Sequence, residues 1–178
     1  MVILNQITCN PRMLLSMEEL FTLFYPSPVG LIEIKGTGQA ITSTSFVEVE
    51  MPSSNSVPDV LLQCKQELDE YFTGKRKTFN VHLAPMGTEF QQQVWNQLLK
   101  IDFGTTTSYM AIAKKMNNPG AVRAVGLANG KNPIGVIIPC HRVIGEDGSL
   151  TGYAGGLWRK RWLLDHEGNT SGNAPIIF

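Results

Sequence analysis

The sequence predicts an α/β protein in two parts. A small N-terminal α/β domain, a sheet plus a helix, spans residues 1–85, and a mainly helical, winged-helix-like domain spans residues 86–170, with residues 171–178 as a tail. Three observations carry that prediction. Two strand-like segments flank a glycine turn early in the chain, and an apolar stripe at helical spacing follows them. The second half then holds a helix, a tight turn and a helix of small residues.

Taken in order, Val29-Gly30-Leu31-Ile32-Glu33-Ile34 and Ala40-Ile41-Thr42-Ser43-Thr44 flank Gly36-Thr37-Gly38, which signals a hairpin. Phe46, Val47 and Val49 continue the sheet, and residues 52–58, rich in Ser, Asn and Pro, form a loop. Val57, Val60, Leu61, Cys64, Leu68, Tyr71 and Phe72 recur at steps of three and four, one face of a helix that Gly74 ends. Phe79, Val81 and Leu83 alternate as a strand ahead of Pro85-Met86-Gly87, the boundary between the parts.

In the second half, Thr88 caps a helix carrying Phe90, Val94, Trp95, Leu98 and Ile101 on one face, and Gly104 stops it. Thr107 or Ser108 caps a second helix, Tyr109 to Met116; Asn117-Asn118-Pro119-Gly120 is the turn, and Ala121 to Asn129 a third helix. This is the pattern of a helix-turn-helix, although plain helical packing produces it too. The apolar run Ile134 to Ile138 reads as strand-like, a basic helix opens at Trp158-Arg159-Lys160-Arg161, and Asn169 to Asn173 reads as a loose tail.

With 43% hydrophobic residues over 178 positions, the chain suits one average domain or two small ones. The zero net charge hides an asymmetry: residues 1–85 hold 6 Lys/Arg against 9 Asp/Glu, and residues 86–178 hold 9 against 6. A mildly basic second half fits a polyanionic partner without requiring one. No run approaches the ~18 apolar residues that span a bilayer, and no membrane partner is expected. Met1 to Asn10 has no basic segment followed by an apolar stretch, and the three cysteines show no paired spacing. A reducing, cytosolic location is the expectation.

The strongest chemical signal is Pro139-Cys140-His141-Arg142-Val143, closing the apolar run. A thiol is a weak nucleophile until deprotonated, and adjacent positive charge or a histidine base favours the thiolate. An inert buried thiol or a metal ligand also satisfies the dipeptide Cys-His. Cys9 and Cys64 read as inert, Cys64 because it sits on the apolar stripe. His141 would take the thiol proton through a water, because neighbouring side chains rarely point at each other, and such a base needs an orienting acceptor.

The residues after Cys140 form a dense pattern: Val143-Ile144-Gly145, the turn Glu146-Asp147-Gly148, Leu150-Thr151-Gly152-Tyr153-Ala154-Gly155-Gly156-Leu157, and His166-Glu167-Gly168. Upstream stand Gly87-Thr88-Glu89-Phe90-Gln91, Val94-Trp95, Thr107-Ser108-Tyr109, Ala121-Val122-Arg123-Ala124-Val125-Gly126 and Asn132-Pro133. With these motifs the chain resembles the O6-alkylguanine-DNA alkyltransferases, closely over residues 86–168 and loosely before. The resemblance implies DNA repair by direct, irreversible transfer of an alkyl group, methyl above all, to Cys140. The donor is O6-alkylguanine, or O4-alkylthymine, in double-stranded DNA, and each molecule acts once without a cofactor. A monomer is implied, at the nucleoid or, in a eukaryote, in the nucleus.

The same resemblance assigns roles. Glu167 matches the acidic partner of His141, and Asn132 the asparagine that ties the active-site turn together. Arg123 matches the arginine that fills the stack after the nucleotide flips out. Tyr109 matches the tyrosine that crowds the phosphate and donates to the guanine ring. Ala121, Ala124 and Gly126 suit a recognition helix close to the DNA backbone. The carbonyls of Cys140 and Val143 and the N–H of Ala154 contact the base, Tyr153 walls the pocket, and Gly155-Gly156 lets the backbone approach. Some relatives carry proline where this chain has Gly135, which implies a roomier pocket here. Others bind zinc in the N-terminal half; no Cys or His stands between residues 10 and 63, so Cys9 and His82 cannot complete a site and no metal is expected. Asp102-Phe103 departs from the family's proline and aromatic without touching the chemistry. Two other classes stay open: a Cys-His hydrolase, and a helix-turn-helix regulator without chemistry.

Overall fold

A computed structural model describes residues 19–172. Cys9, Asn173 and Ile176-Ile177-Phe178 lie outside the described residues. The chain separates into two compact units between Met86 and Gly87.

The first unit holds a three-stranded antiparallel sheet in the order β1 (Phe21–Ser27), β2 (Gly30–Gly36), β3 (Ile41–Val47). The β2–β3 hairpin follows the sequence reading. β1 does not: Leu23, Phe24 and Tyr25 are buried in succession, which erases alternation, and Pro26 lies within it, as an edge strand allows. Val49 is exposed beyond the end of β3 rather than part of the sheet. Helix α1 (Asp59–Phe72) packs on all three strands and buries Leu61, Cys64, Leu68, Tyr71 and Phe72. It starts after Pro58, so Val57 falls outside it. The segment at Phe79 to Leu83 is not a strand; it meets the sheet at the single bridge between Ile41 and Leu83. The Glu67 carboxylate takes the Asn80 N–H at 2.7 Å, which diverts that backbone from a ladder.

The second unit opens with α2 (Glu89–Leu98), where Thr88 and Gln91 form a reciprocal capping box worth about 1 kcal/mol. A side chain at Gly87 would collide with the Trp95 ring, so only glycine fits there. The helix ends at Leu98, six residues before the Gly104 expected to stop it; Ile101 is buried without being helical. Strand β4 (Thr107–Ser108) leads into α3 (Tyr109–Lys115), and Ser108, not Thr107, accepts the capping bond from the Ala111 N–H at 3.1 Å. A 3-10 turn at Pro119–Ala121 joins α3 to α4 (Val122–Gly130), completing the helix-turn-helix. The indole of Trp95 donates to the Ala128 carbonyl at 2.9 Å and fixes α2 against α4.

Ile134 to Ile138 is buried but is not a strand. Its backbone folds into successive turns, with Ile138 N–H on Ile134 O at 3.0 Å and Cys140 N–H on Ile138 O at 2.8 Å. Val136 sits at φ 68°, a conformation that costs a β-branched residue about 1–3 kcal/mol. Cys140–Arg142 form a 3-10 turn, and β5 (Val143–Ile144) pairs in parallel with β4. Helix α5 (Leu157–Ser171) absorbs Asn169 and Thr170, which read as tail in the sequence; Gly172 at φ 75° ends it.

Candidate active site

Cys140 lies at the start of the 3-10 turn and is 6% exposed. The coiled turn before it is held by Asn132. Its amide donates to the carbonyls of Ile138 at 2.8 Å and Ile134 at 3.3 Å, and its oxygen accepts from the Ile134 N–H at 3.0 Å. These bonds hold the chain in its strained path immediately ahead of the thiol. Burial pushes the Cys140 thiol up, against a hydrogen bond from Asn132 and the charge of Lys160, which pull it down. Adjacent positive charge alone therefore does not make a thiolate here, and the resting group is a thiol that needs a base.

His141, fully buried, reaches α5, where Nε2 meets Glu167 Oε1 at 2.8 Å. Arg142 grips the same carboxylate with two bonds, Nε to Oε2 at 2.9 Å and Nη2 to Oε1 at 3.0 Å. Its Nη1 donates to the Ile101 carbonyl at 2.6 Å, and its guanidinium lies over the Phe103 ring at 5.7 Å. The Gly104 N–H also donates to Glu167, at 3.1 Å. Burial alone would raise the Glu167 carboxyl, but His141 and Arg142 hold it well below the usual carboxylate range. Burial lowers the His141 imidazole, with Arg142 and Lys160 adding to the effect and Glu167 opposing it. An ionised Glu167 facing a neutral imidazole puts the ring proton on Nε2. Nδ1 keeps its lone pair and has no hydrogen-bond partner among the described residues. The arrangement presents an oriented base beside a buried thiol.

Comparison with known proteins bears on what such a base and thiol do. Residues 20–85 match the family model of the 6-O-methylguanine DNA methyltransferase ribonuclease-like domain, and residues 89–169 match that of the DNA binding domain. The methylated-DNA–protein-cysteine methyltransferase of Methanosarcina acetivorans is 44% identical over 155 residues, 84% of this chain and 99% of the relative. The chain belongs to the 6-O-methylguanine DNA methyltransferase family. A crystal structure of Mycobacterium tuberculosis O6-methylguanine methyltransferase is 42% identical, with TM-score 0.76 over 88% of this chain and 96% of that one. A structure of the M. tuberculosis OGT in complex with DNA matches at 44% identity and TM-score 0.76, over 83% of this chain and 92% of that one.

Within this methyltransferase-family unit, the remaining residues singled out in the sequence fall into two groups. Arg123 and Ala124 are exposed on α4, with Ala121 and Gly126 half-buried; the Tyr109 ring lies against Gly126. The Tyr109 hydroxyl donates to the Thr151 carbonyl at 3.3 Å, and burial pushes its pKa up. On the other side, the Tyr153 hydroxyl is buried without a partner among the described residues, and burial raises it well above the ordinary phenol range. Ala154 is exposed; the Gly155 carbonyl accepts from Arg159 at 2.9 Å, and Gly156 takes φ 89° to open α5. Gly135 lies in the coiled turn, its carbonyl accepting from the Ile137 N–H at 2.8 Å. The two carbonyls assigned to a base already have donors. Cys140 O accepts from Asn129 Nδ2 at 3.4 Å and from the Val143 N–H, and Val143 O accepts from Lys160 Nζ at 2.6 Å. Val143 O keeps a second lone pair, whereas Cys140 O already accepts two bonds.

Sequence reasoning missed Arg142 as a clamp, Gly104 as a donor to Glu167, and both Asn129 and Lys160 as neighbours of Cys140. The adjacency of Arg142 to His141 was a signal for the clamp, whereas Lys160, between Arg159 and Arg161 on α5, carried none.

Proposed function

We propose that this alkyltransferase-family chain repairs DNA by moving the alkyl group of O6-alkylguanine, in a duplex, onto Sγ of Cys140. The observation that carries the reading is the buried Cys140 thiol followed by His141, whose Nε2 is held by Glu167 and whose buried Nδ1 has no partner among the described residues. His141 takes the thiol proton through a water, and Glu167, itself gripped by Arg142, stabilises the imidazolium that results. The thiolate attacks the alkyl carbon in line. The Sγ–C bond forms as the C–O6 bond breaks, and the electron pair passes to guanine, where the Tyr109 hydroxyl donates to the ring. No metal or redox cofactor enters this sequence. Asn132 supports the turn that presents the thiol.

A thiol this deep cannot reach a stacked base, so the damaged nucleotide is flipped out. Arg123, exposed on α4, fills the gap, with Ala121, Ala124 and Gly126 allowing close approach of the helix. Residues 86–170 thus act as the DNA-binding and transfer domain, with residues 1–85 as a separate α/β domain. Tyr153, the Ala154 N–H, Gly155 and the carbonyls of Cys140 and Val143 shape the base pocket, and Gly135 leaves it room for alkyl groups larger than methyl. O4-alkylthymine is a second substrate. The thioether is not hydrolysed, so each monomer acts once, at the nucleoid or in a nucleus. Among the described residues no helix is long and apolar enough to cross a membrane.

Peptide mapping by mass spectrometry after mixing with a duplex containing O6-methylguanine tests this reading. It predicts a methyl on Cys140 and none on Cys64. An unmodified Cys140 after DNA binding supports a regulator without chemistry and overturns it.

A further inference from the structure

Lys160 is fully buried on the second turn of α5, and the mechanism above leaves it without a task. Its Nζ donates to the carbonyl of Val143 at 2.6 Å and to that of Thr151 at 2.7 Å. Among the described residues no carboxylate pairs with it. A buried ammonium without an anion is costly, and two neutral carbonyls offset only part of that cost. A plain tether between the two loops could be built from a neutral side chain, so the charge needs its own reason.

The surroundings supply one. Val143 follows the 3-10 turn that carries Cys140 and His141, and the Thr151 carbonyl also accepts the Tyr109 hydroxyl at 3.3 Å. One ammonium therefore ties the segment behind the thiol to the loop that holds the DNA-facing tyrosine. The titratable groups around it are Cys140 and His141 on the 3-10 turn, Tyr109 on α3 through Thr151, and Tyr153 and Arg159 close by in sequence. Of these, Cys140 is the group whose anion would favour the lysine's charge. The effect is mutual: the lysine's charge pulls the thiol down and disfavours a second cation on His141.

We propose that Lys160 is a positioning residue of the transfer reaction, whose ammonium fixes the carbonyls of Val143 and Thr151 and whose charge favours the thiolate of Cys140. This rests on the reading of Cys140 as the nucleophile. Burial lowers Lys160 to about 8, so the charge is present at neutral pH and is lost as the pH rises through that value.

The test follows the reaction of Cys140 with iodoacetamide against pH, by peptide mass spectrometry, in the native protein, Lys160→Met and Lys160→Arg. At pH 7, where Lys160 is charged, Lys160→Met should slow labelling of Cys140 about tenfold. Lys160→Arg, which keeps the charge, should restore most of the rate. A folded Lys160→Met with the native labelling rate at pH 7 overturns the proposal, because a purely structural tether leaves that rate unmoved. If Lys160→Met lacks the native circular dichroism, Lys160→Gln, which keeps N–H donors without charge, is read in its place. Failure of all three variants to fold makes the residue a structural peg and also overturns it. Methyl transfer to native Cys140 from an O6-methylguanine duplex is run beside these. Its absence sinks the underlying reading, whereas its presence with an unmoved labelling rate at pH 7 sinks only the role of Lys160.

Discussion

Cys64 and Cys140 are the same residue in nearly the same degree of burial, 0% and 6% exposed, and they differ in what lies around them. Cys64 sits on α1 facing the sheet, among Leu61, Leu68 and Tyr71. Burial pushes it up to about 12, and the nearby Glu67 pushes the same way. Cys140 is also raised by burial, but Asn132 and Lys160 oppose the shift and an oriented histidine follows it in the chain. The acidity of a buried cysteine thus depends on the polar groups that the fold brings to it.

The widest separation between the two sites is expected from serine substitutions. Cys140→Ser should abolish methyl transfer while keeping salt-sensitive binding to duplex DNA, because a hydroxyl is a far poorer nucleophile toward alkyl carbon. Cys64→Ser should leave the transfer rate within about twofold and instead cost about 1–3 kcal/mol of stability, for a hydroxyl placed in an apolar core. Transfer assays and urea unfolding on both variants check this; a large rate loss in Cys64→Ser would break the contrast.

Glu167→Gln should cost about 3–5 kcal/mol, since it leaves Arg142 buried without its carboxylate. It should also slow transfer, because His141 loses the partner that orients it. Arg123→Ala should slow transfer from duplex DNA about ten- to a hundredfold and leave reaction with free O6-methylguanine nearly intact, since a free base needs no flipping. Equal losses on both substrates would remove Arg123 from that role.

Stability against pH sharpens the comparison further. Burial lowers His141 in the folded protein, so its contribution is fully present above about pH 6.5, the unfolded value, and is lost as the pH falls below that. Glu167, also lowered, adds a second loss only below about pH 4.3. Thermal melts between pH 7 and 5 should therefore fall for the native chain and flatten for His141→Gln. The smallest effect is expected at the pocket: Gly135→Pro should change the ratio of methyl to benzyl transfer rates, and an unchanged ratio would take Gly135 out of the specificity account.

The parts of this picture legible in the sequence are those written in neighbouring residues. Cys140-His141, the Asn132-Pro133 turn, the Thr88 and Ser108 caps and the β2–β3 hairpin all follow from local chemistry. Glu167 was visible only through resemblance, since 26 positions separate it from His141. Lys160, Asn129 and Gly104 were not visible, because their partners lie on other elements and nothing in their own neighbourhoods marks them. The run at Ile134 to Ile138 shows the limit most plainly. Its apolar, β-branched composition is that of a buried strand, but the bonds from Asn132 and the left-handed Val136 coil it into turns. Local hydrogen bonds from Asn132 outweigh β-propensity there.

Permanent alkylation of Cys140 is read by titrating the native protein with excess O6-methylguanine duplex and weighing the intact chain. Transfer should stop at one methyl per chain, lost from DNA in equal amount. Continued loss of methyl from DNA beyond one per chain, or a chain that returns to its unmodified mass, would contradict it.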